Sequence, residues 1–355
     1  MASLIDVAPA PRSRLARARR LHLWLALLMV VIGALSLGAG ATGVDPLAAL
    51  WRLARGLPLE RTEAVVLLDI RLPRLAMGLL VGAALAVSGA LMQGLFRNPL
   101  ADPGIVGVSA GAGLGAISAI VLGGALPAGL AVLAGPHLVA LAAFAGALAS
   151  TWALYRIATR QGRTSVSTML LAGIALGALT GALSGVMVYL ADDNQLRDLT
   201  FWGLGSLSGA SWSRLAASAP IIFVALAAAS TLGRALNALS LGEATAAHIG
   251  IPVQSAKRRA ILCVAGATGA AVAVSGGIGF IGIVVPHLLR LASGPDHRAL
   301  LINAGLLGAT LLVAADMVAR SIVSPSELPI GIVTAVLGAP VFLWILLKRH
   351  GADAC

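Results

Sequence analysis

Residues 71–115 carry two long apolar runs separated by a short polar connection, Arg97–Gly104. The connection contains Pro99 and Pro103. Proline lacks a backbone N–H and pushes the residue before it out of the helical region, so the connection cannot be helical throughout. Non-helical backbone at membrane depth is tolerated only where it is buried in protein or lines a water-filled cavity. Two interpretations stay open: an ordinary loop between two membrane spans, or part of a pore.

The composition of the whole chain indicates a membrane protein with many spans. Of its 355 residues, 59% are hydrophobic and 11% are charged, whereas soluble domains average about 25% charged residues. The formal charge of +11 is explained by basic residues on a cytoplasmic face, so no nucleic-acid partner is expected. Cys263 and Cys355 form neither a disulfide framework nor a metal-binding spacing.

Hydropathy predicts an all-α polytopic membrane protein with about ten transmembrane helices and both termini in the cytoplasm. Residues 1–20 are predicted to be a disordered basic tail, residues 21–349 a single transmembrane domain, and residues 350–355 a short C-terminal tail. Residues 42–70 are expected to form an outer loop with a short helix. The predicted spans are Leu21–Ala41, Leu72–Leu95, Gly104–Leu126, Leu133–Ile157, Ser165–Leu190, Leu215–Leu232, 260–275, 278–293, 302–322 and 329–347.

Two of the predicted spans carry glycine at every fourth position, which places the glycines on one helix face. Small residues at this spacing let helix backbones approach each other closely. Both glycine stripes are therefore interpreted as packing faces. They consist of Gly107, Gly111 and Gly115 in the third span and Gly173, Gly177, Gly181 and Gly185 in the fifth.

The sequence lacks the motifs of an ATPase, a metalloprotease or a proton-coupled carrier. No G-x-x-x-x-G-K-[ST] loop occurs, and the only lysines are Lys257 and Lys348. No H-E-x-x-H motif is present, and carboxylates are scarce within the spans, with Asp69 and Asp316 near span ends. We therefore predict no catalytic residue and no metal site. These absences favour a passive pore driven by a partner, with a standalone channel or ion-coupled carrier as the alternative.

Several long motifs resemble those of one family, in the same order along the chain. They are RLPR (71–74), MQGLFRNPLADPGIVGVSAGAG (92–113), LLAGIALGAL (170–179), FWGLGSL (201–207), LSLGEATAAHIGIP (239–252), GGIGFIGIVVPHLLR (276–290) and LPIGIVTAVLGAPVFLWILLK (328–348). Over about residues 22–348 the sequence resembles the iron-chelate and cobalamin permeases of the FecCD group, the membrane subunits of type II ABC importers. The resemblance implies the fold of a type II ABC importer permease and a place in the bacterial inner membrane. The partners it implies, besides the lipid bilayer, are a second copy of the chain, two ATPase subunits and a periplasmic substrate-binding protein.

Residues 239–252 are helical in pattern but too polar and too short to span a membrane. The resemblance implies that this coupling segment fits a cleft in each ATPase subunit; a surface helix without a partner is the alternative. The candidate contact residues are Leu241, Gly242, Glu243, Ala244, His248 and Gly250.

The resemblance also implies an inner gate made of two parts. Asn98 and Leu100 belong to the polar connection, and Val166 and Ser167 stand at the start of the fifth span. Relatives often carry a hydroxyl at the position of Val166, and this departure leaves the polarity of the gate open.

On the outer side, the resemblance implies that Arg71, Arg74 and Arg320 receive acidic residues of the binding protein. Arginine forms bidentate pairs with carboxylates, which suits docking in one fixed pose. The alternative for Arg71 and Arg74 is that they anchor a span end at the lipid headgroups.

Residues 195–212 (QLRDLTFWGLGSLSGASW) look most like the matching block of haem permeases, so haem is the expected cargo, with ferric siderophore or cobalamin as alternatives. No permanently bound cofactor is expected. Thioether side chains would let a flat apolar cargo pass, although methionine more often fills a core. For Arg197 the alternative is a solvated loop charge. The candidate cargo-path residues are Met77, Met92, Met169, Met187 and Arg197.

Overall fold

The computed structural model describes residues 11–39, 45–127, 129, 135–323 and 326–352, which are almost entirely helical. The α-helices are α1 (Pro11–Gly38), α2 (Pro46–Ala54), α3 (Arg61–Ala64), α4 (Leu72–Phe96), α5 (Val108–Leu122), α6 (Leu138–Ala158), α7 (Val166–Leu190), α8 (Asp193–Leu204), α9 (Trp212–Ser230), α10 (Gly233–Ser240), α11 (Glu243–His248), α12 (Val253–Ser275), α13 (Ile281–Ser293), α14 (His297–Ala319) and α15 (Ile330–Ala352).

Shorter elements connect these helices. A π-helix, Val65–Arg71, joins α3 to α4 and produces one unbroken helical run of 36 residues. A small hairpin after α6 pairs β1 (Thr159–Arg160) with β2 (Arg163–Thr164). The 3-10 helices cover Pro103–Val106, Gly123–Ala125 and Gly135–His137.

The prediction of an all-α polytopic membrane fold is confirmed. Among the described residues, eight helices are long and apolar enough to cross a membrane. Two shorter apolar helices, Ile281–Ser293 and Ile330–Trp344, raise the candidate membrane helices to the ten that were predicted.

Several predicted boundaries at the start of the chain were wrong. Residues 11–20 form the first turns of α1 instead of a disordered tail; residues 1–10 lie outside the described part of the chain. Arginine, leucine and alanine are strong helix formers, so the helix does not end where hydrophobicity falls. The predicted outer loop 42–70 contains the short helix α2, but residues 61–70 are helical and continue into α4.

Other helix ends moved by a few residues. α12 starts at Val253 instead of residue 260, and α14 covers His297–Ala319 instead of 302–322. α15 continues to Ala352, so residues 350–352 are not a separate tail, and residues 353–355 lie outside the described residues. The predicted starting point of the fourth span, Leu133, lies outside them as well.

The core of the molecule is built around α4. In the most apolar stretch of the run Arg61–Phe96, 78% of the residues are buried, against 17% for α7. A Cβ atom on Gly82 would lie 2.3 Å from the carbonyl oxygen of Gly308 in α14, and one on Gly89 would lie 1.9 Å from that of Gly282 in α13. The backbones of α4, α13 and α14 are therefore in direct contact, as small residues allow in membrane proteins.

The glycine stripes behave differently from each other. Gly111 and Gly115 pack against the backbone of α6, which confirms a packing face on α5. In α7, Gly173 contacts the carbonyl oxygen of Ile105, but nothing lies within 4 Å of a Cβ placed on the next three glycines of the stripe. Within this single chain the α7 stripe is therefore mostly open.

α4 separates two groups of polar side chains. Arg74 lies in its first turn and Phe96 at its last residue, so about 33 Å separates them along the helix axis. The arginine end and the end at the polar connection are thus on opposite sides of the molecule.

Candidate functional site

At the arginine end, Arg74 is bound by two carboxylates. Its Nε and Nη2 atoms donate to both oxygens of Asp316, with distances of 2.8–3.1 Å, and its Nη1 atom donates to Glu327 Oε1 at 2.8 Å. Arg74 and Asp316 are both buried, and the Glu327 side chain is 37% exposed. The fork of a guanidinium fits a carboxylate in this way because two parallel N–H···O bonds form at once.

The other two arginines bind the end of α1. Arg320 donates through Nη2 to the carbonyl and hydroxyl oxygens of Ser36 at 2.7 Å, and its Nε atom lies 3.5 Å from Asp316. Arg71 donates to the carbonyl oxygen of Leu37. The arginine cluster therefore consists of Arg71, Arg74 and Arg320 with Asp316 and Glu327.

The arginine cluster brings together the three residues that were predicted to dock the binding protein. All three are buried and have partners within the chain in this conformation. Their docking role stays a prediction. Sequence reasoning did not pair Arg74 with Asp316 or Glu327, which lie 242 and 253 residues away in the chain.

At the opposite end, the polar connection is a folded turn. Arg97 ends α4 with a left-handed backbone (φ 50°), and Asn98 Oδ1 accepts from the Leu100 N–H at 3.0 Å. The carboxylate of Asp102 accepts from the Gly104 N–H at 2.8 Å and caps the 3-10 helix that follows. Caps of this kind satisfy N–H groups that have no partner within the helix.

One side of the connection faces the protein interior. Ala101, Pro103 and Val106 are buried, whereas Asn98 is exposed and Leu100 is half-buried. Asp102 lies at the wall of a cavity of about 240 Å³, together with Ser109 and Thr268, and burial raises the pKa of its carboxyl group. The connection is therefore not a free loop, since half of it belongs to the core.

The second predicted gate pair lies at the start of α7. The Ser165 hydroxyl accepts from the Thr168 N–H at 3.2 Å and caps the helix. Val166 is half-buried and Ser167 is exposed. α7 contacts the 3-10 helix Pro103–Val106 that follows the polar connection: the carbonyl oxygen of Ile105 would lie 2.1 Å from a Cβ on Gly173.

The coupling segment, 239–252, contains the end of α10, a break and the short helix α11. α10 ends at Ser240, and Gly242, with a φ of 108°, redirects the chain into α11. A positive φ of this size suits glycine, which has no Cβ. A second glycine with a positive φ, Gly250 (83°), follows just after α11.

The surface of the coupling segment combines exposed apolar and polar groups. Leu241 and Ile249 are 68% and 61% exposed, while Ala246 is fully buried against the protein. His248 is exposed, and its Nδ1 atom is 2.7 Å from the carbonyl oxygen of Ala244. Two exposed aliphatic side chains on one short segment suit docking into a groove of another protein.

Glu243 reaches inward from α11 and pairs with Lys257 of α12 at 2.6 Å. Lys257 is only 2% exposed, and its Nζ atom also donates to the carbonyl oxygen of Thr164 at 2.7 Å. The N–H of Thr164 donates to the Gln254 side chain of α12 at 2.9 Å. The sequence alone did not indicate this buried pairing, because a lysine near a span end usually keeps its charged group in water.

A second polar cluster connects α10 to the core. The Asn237 side chain accepts from the His297 N–H at 2.8 Å and donates to Asp296 at 2.7 Å. Burial alone would raise the pKa of Asp296, but its hydrogen bonds from Asn237 and Arg298 and the charge of Arg298 leave it lowered. The His297 ring packs against Gly94, where a Cβ would lie 2.7 Å from Nε2.

Three of the methionines predicted to lie on the cargo path are buried in this single chain. Met77, Met92 and Met169 are at most 1% exposed and pack in its core, and their contact with cargo stays a prediction. Met187 is half-buried, and Arg197 is exposed on α8. Methionine is flexible and fills irregular gaps between packed helices, which explains the three buried positions.

Fold and site together define a polytopic membrane permease: a helical core with a polar turn at one end, the segment 239–252 with exposed apolar side chains, and an arginine cluster at the other end. The FecCD transport family matches residues 27–348, and the chain belongs to this family.

Similar proteins cover nearly the whole chain. The hemin transport system permease protein HmuU of Yersinia pestis is 44% identical, over 93% of this chain and 96% of that protein. The vitamin B12 import system permease protein BtuC of Klebsiella pneumoniae is 42% identical, over 94% and 96%. A solved structure described as an inward-facing conformation of a metal-chelate type ABC transporter is 30% identical, with a TM-score of 0.81, over 93% of this chain and 99% of that one.

Proposed function

We propose that this permease imports haem through an ABC importer, from the periplasm to the cytoplasm, by alternating access. The observation that carries the proposal is the match to a hemin permease over almost the full length of both chains. The motif block 195–212 supports the same cargo.

Cobalamin is the second candidate cargo, because permeases named for vitamin B12 import are nearly as similar to this chain as the hemin permease is. The two cargoes differ in shape and charge, so uptake separates them directly. The experiment is transport into proteoliposomes that contain the chain with its ATPase and binding protein. We expect ATP-dependent uptake of haem and little uptake of cobalamin or ferric siderophore. Preferred uptake of either alternative would assign that cargo instead.

The proposed assembly contains two copies of the chain and two ATPase subunits. The α7 face supports a second copy, because Leu171 and Ile174 are each 70% exposed and Gly177 and Gly181 beside them are open. The mass of the purified complex tests this: one copy of the chain per two ATPases would contradict the twofold arrangement.

The proposed orientation places the polar connection and the coupling segment in the cytoplasm and the arginine cluster in the periplasm, within a bacterial inner membrane. ATPase subunits then dock at the exposed residues Leu241, His248 and Ile249, while Glu243 faces Lys257. The chain itself holds no permanently bound cofactor in this proposal, and haem enters only as cargo.

The binding protein is proposed to dock at the arginine cluster. Glu327 is the exposed acidic member of that cluster, so an acidic side chain of the binding protein is proposed to replace it on Arg74. Glu327→Gln should then strengthen docking, because it weakens the internal competitor. Weaker docking in that variant would argue against the exchange.

A further inference from the structure

Lys257 lies between the coupling segment and the start of α7 and contacts both. We propose that Lys257 is a positioning residue that transmits movement of the coupling segment to the inner gate. It touches neither nucleotide nor cargo in this role. The inference rests on the proposed function, which gives the coupling segment its docking role, and on the predicted gate pair at the start of α7.

The connection from α11 to the start of α7 is short, and each of its steps is a direct contact or a peptide bond. Glu243 in the first turn of α11 is 2.6 Å from Lys257 Nζ, and the same atom donates to the carbonyl oxygen of Thr164 at 2.7 Å. Thr164 is followed by Ser165, which caps α7, and then by the predicted gate pair Val166 and Ser167. A single side chain therefore separates the ATPase-docking helix from the gate.

Burial makes this connection stiff. The Lys257 side chain is 2% exposed, so water cannot replace a lost partner without opening the protein. A buried ammonium group is tolerated only while it is paired and hydrogen-bonded. If α11 moves, the least costly response is for Lys257 and Thr164 to move with Glu243.

α12 holds Thr164 from both of its backbone groups. Gln254 accepts from the N–H of Thr164, and Lys257 donates to the carbonyl oxygen of Thr164. Gln254 and Lys257 lie about one helical turn apart on α12. The β2 strand is therefore attached to α12 through side chains, besides its pairing with β1. This arrangement fixes the position of the start of α7 relative to the coupling segment. A gate with two discrete states needs a fixed position of this kind in each state.

The test uses the full complex, with its ATPase and binding protein, in proteoliposomes. Lys257→Met removes the charge at similar length, Lys257→Arg keeps it, and Glu243→Gln neutralises the partner. The matched control is Arg258→Met, on the next residue of the same helix, which is exposed. The measured quantities are bound ATPase subunits, the rate of ATP hydrolysis, and cargo imported per ATP hydrolysed.

We expect Lys257→Met and Glu243→Gln to keep their ATPase subunits and to hydrolyse ATP, while cargo imported per ATP falls about tenfold, the usual scale of coupling between two sites. Lys257→Arg should recover part of the loss, and Arg258→Met should behave as the parent. The double variant should be no worse than the more impaired single one, because both changes break one contact.

A gate reporter makes the test independent of the cargo. Ser167→Cys, combined with Cys263→Ala and Cys355→Ala, reacts with a soluble thiol reagent at a rate that should depend on bound nucleotide. Lys257→Met should abolish this dependence while the complex stays assembled. A complex that imports cobalamin instead of haem would refute the proposed cargo and leave this reporter unchanged.

Two results would overturn the proposal. The first is a Lys257→Met complex with normal import per ATP and normal nucleotide dependence at the reporter. The second is loss of the ATPase subunits from a folded Lys257→Met chain, which would make Lys257 part of the docking scaffold only. If Lys257→Met does not fold, Glu243→Gln decides by the same measurements, since Glu243 is 42% exposed and tolerates substitution better.

Discussion

Arg74 binds two carboxylates that differ in solvent exposure. We therefore expect them to contribute differently to the stability of the fold. Asp316 is buried with Arg74, whereas Glu327 is partly open to solvent. Removing one partner of a buried pair leaves an uncompensated charge, but an exposed pair is weakened by solvent screening.

The first prediction compares substitutions at this pair. Arg74→Met should lower the free energy of unfolding by about 3–5 kcal/mol, because Asp316 is left buried without its two-pronged partner, with Arg320 Nε 3.5 Å away. Glu327→Gln is the matched control and should cost at most about 1 kcal/mol. Thermal unfolding of the detergent-solubilised chain measures both. Equal effects of the two substitutions would show that Asp316 is hydrated and that its burial does not matter.

The second prediction concerns Asp102. Asp102→Ala removes the cap of the 3-10 helix and should cost about 1 kcal/mol, whereas Asp102→Asn keeps an oxygen for the Gly104 N–H. Burial raises the pKa of Asp102, so the charged form is the unfavourable one in the folded chain. Asp102→Asn should therefore be more stable than the parent at neutral pH.

The pH dependence of stability tests whether the charged form of Asp102 destabilises the fold. A raised pKa in the folded state means that the Asp102 carboxyl destabilises the fold increasingly as the pH rises above its unfolded pKa, about 3.9. The advantage of Asp102→Asn over the parent should thus shrink as the pH falls towards 4. An advantage that grows at low pH would contradict the assignment.

Among the elements, α4 and α7 present glycines to different surroundings. Gly82 of α4 touches the backbone of α14, and Gly177 of α7 faces open space within one chain. The same glycine spacing in the sequence therefore has two meanings, since spacing fixes the helix face and does not identify what lies opposite.

The third prediction uses these two glycines. Gly82→Ala places a methyl group 2.3 Å from a backbone carbonyl oxygen, which cannot move aside as a flexible side chain would. We expect it to lower stability by about 1–3 kcal/mol, the usual cost of overpacking. Gly177→Ala should leave the stability of the single chain unchanged or slightly higher, because alanine favours helix. Thermal unfolding checks both, and a neutral Gly82→Ala would mean that α4 and α14 are farther apart.

Helix ends were predicted correctly where hydrophobicity changes along the sequence, and incorrectly where helix propensity or backbone conformation sets the end. The ends of α7 were predicted within one residue because polar residues stand at both of them. The start of α1 was missed because Arg12–Arg20 favour helix while remaining polar. The break at Gly242 was hidden, since a glycine can also be accommodated within a helix at modest cost.

On the scale of the whole molecule, the motifs led to functional predictions for both ends of the helical core, but they did not predict which distant residues pair. Lys257 pairs with Thr164 across 93 residues, and Arg74 pairs with Asp316 across 242. Neither pairing leaves a periodic signal in one sequence, because each depends on how separate helices pack. The burial of Met77 and Met92 could not be predicted from the sequence either, because hydropathy does not distinguish a core residue from one that lines a pore.

The last prediction concerns the gate between two copies. Leu100 is half-buried in one chain and lies two residues from the exposed Asn98, so a second copy on the twofold axis would bring two Leu100 side chains close together. Leu100→Cys, with Cys263→Ala and Cys355→Ala, should crosslink between copies in the state whose inner gate is shut. The yield should depend on nucleotide, since a gate has two discrete arrangements. The crosslinked complex should lose transport and still bind the binding protein, because that docking lies about 33 Å away, at the other end of α4. A cysteine at this position that reacts with soluble reagents but never crosslinks would mean that the polar connection is a cytoplasmic turn and not a gate.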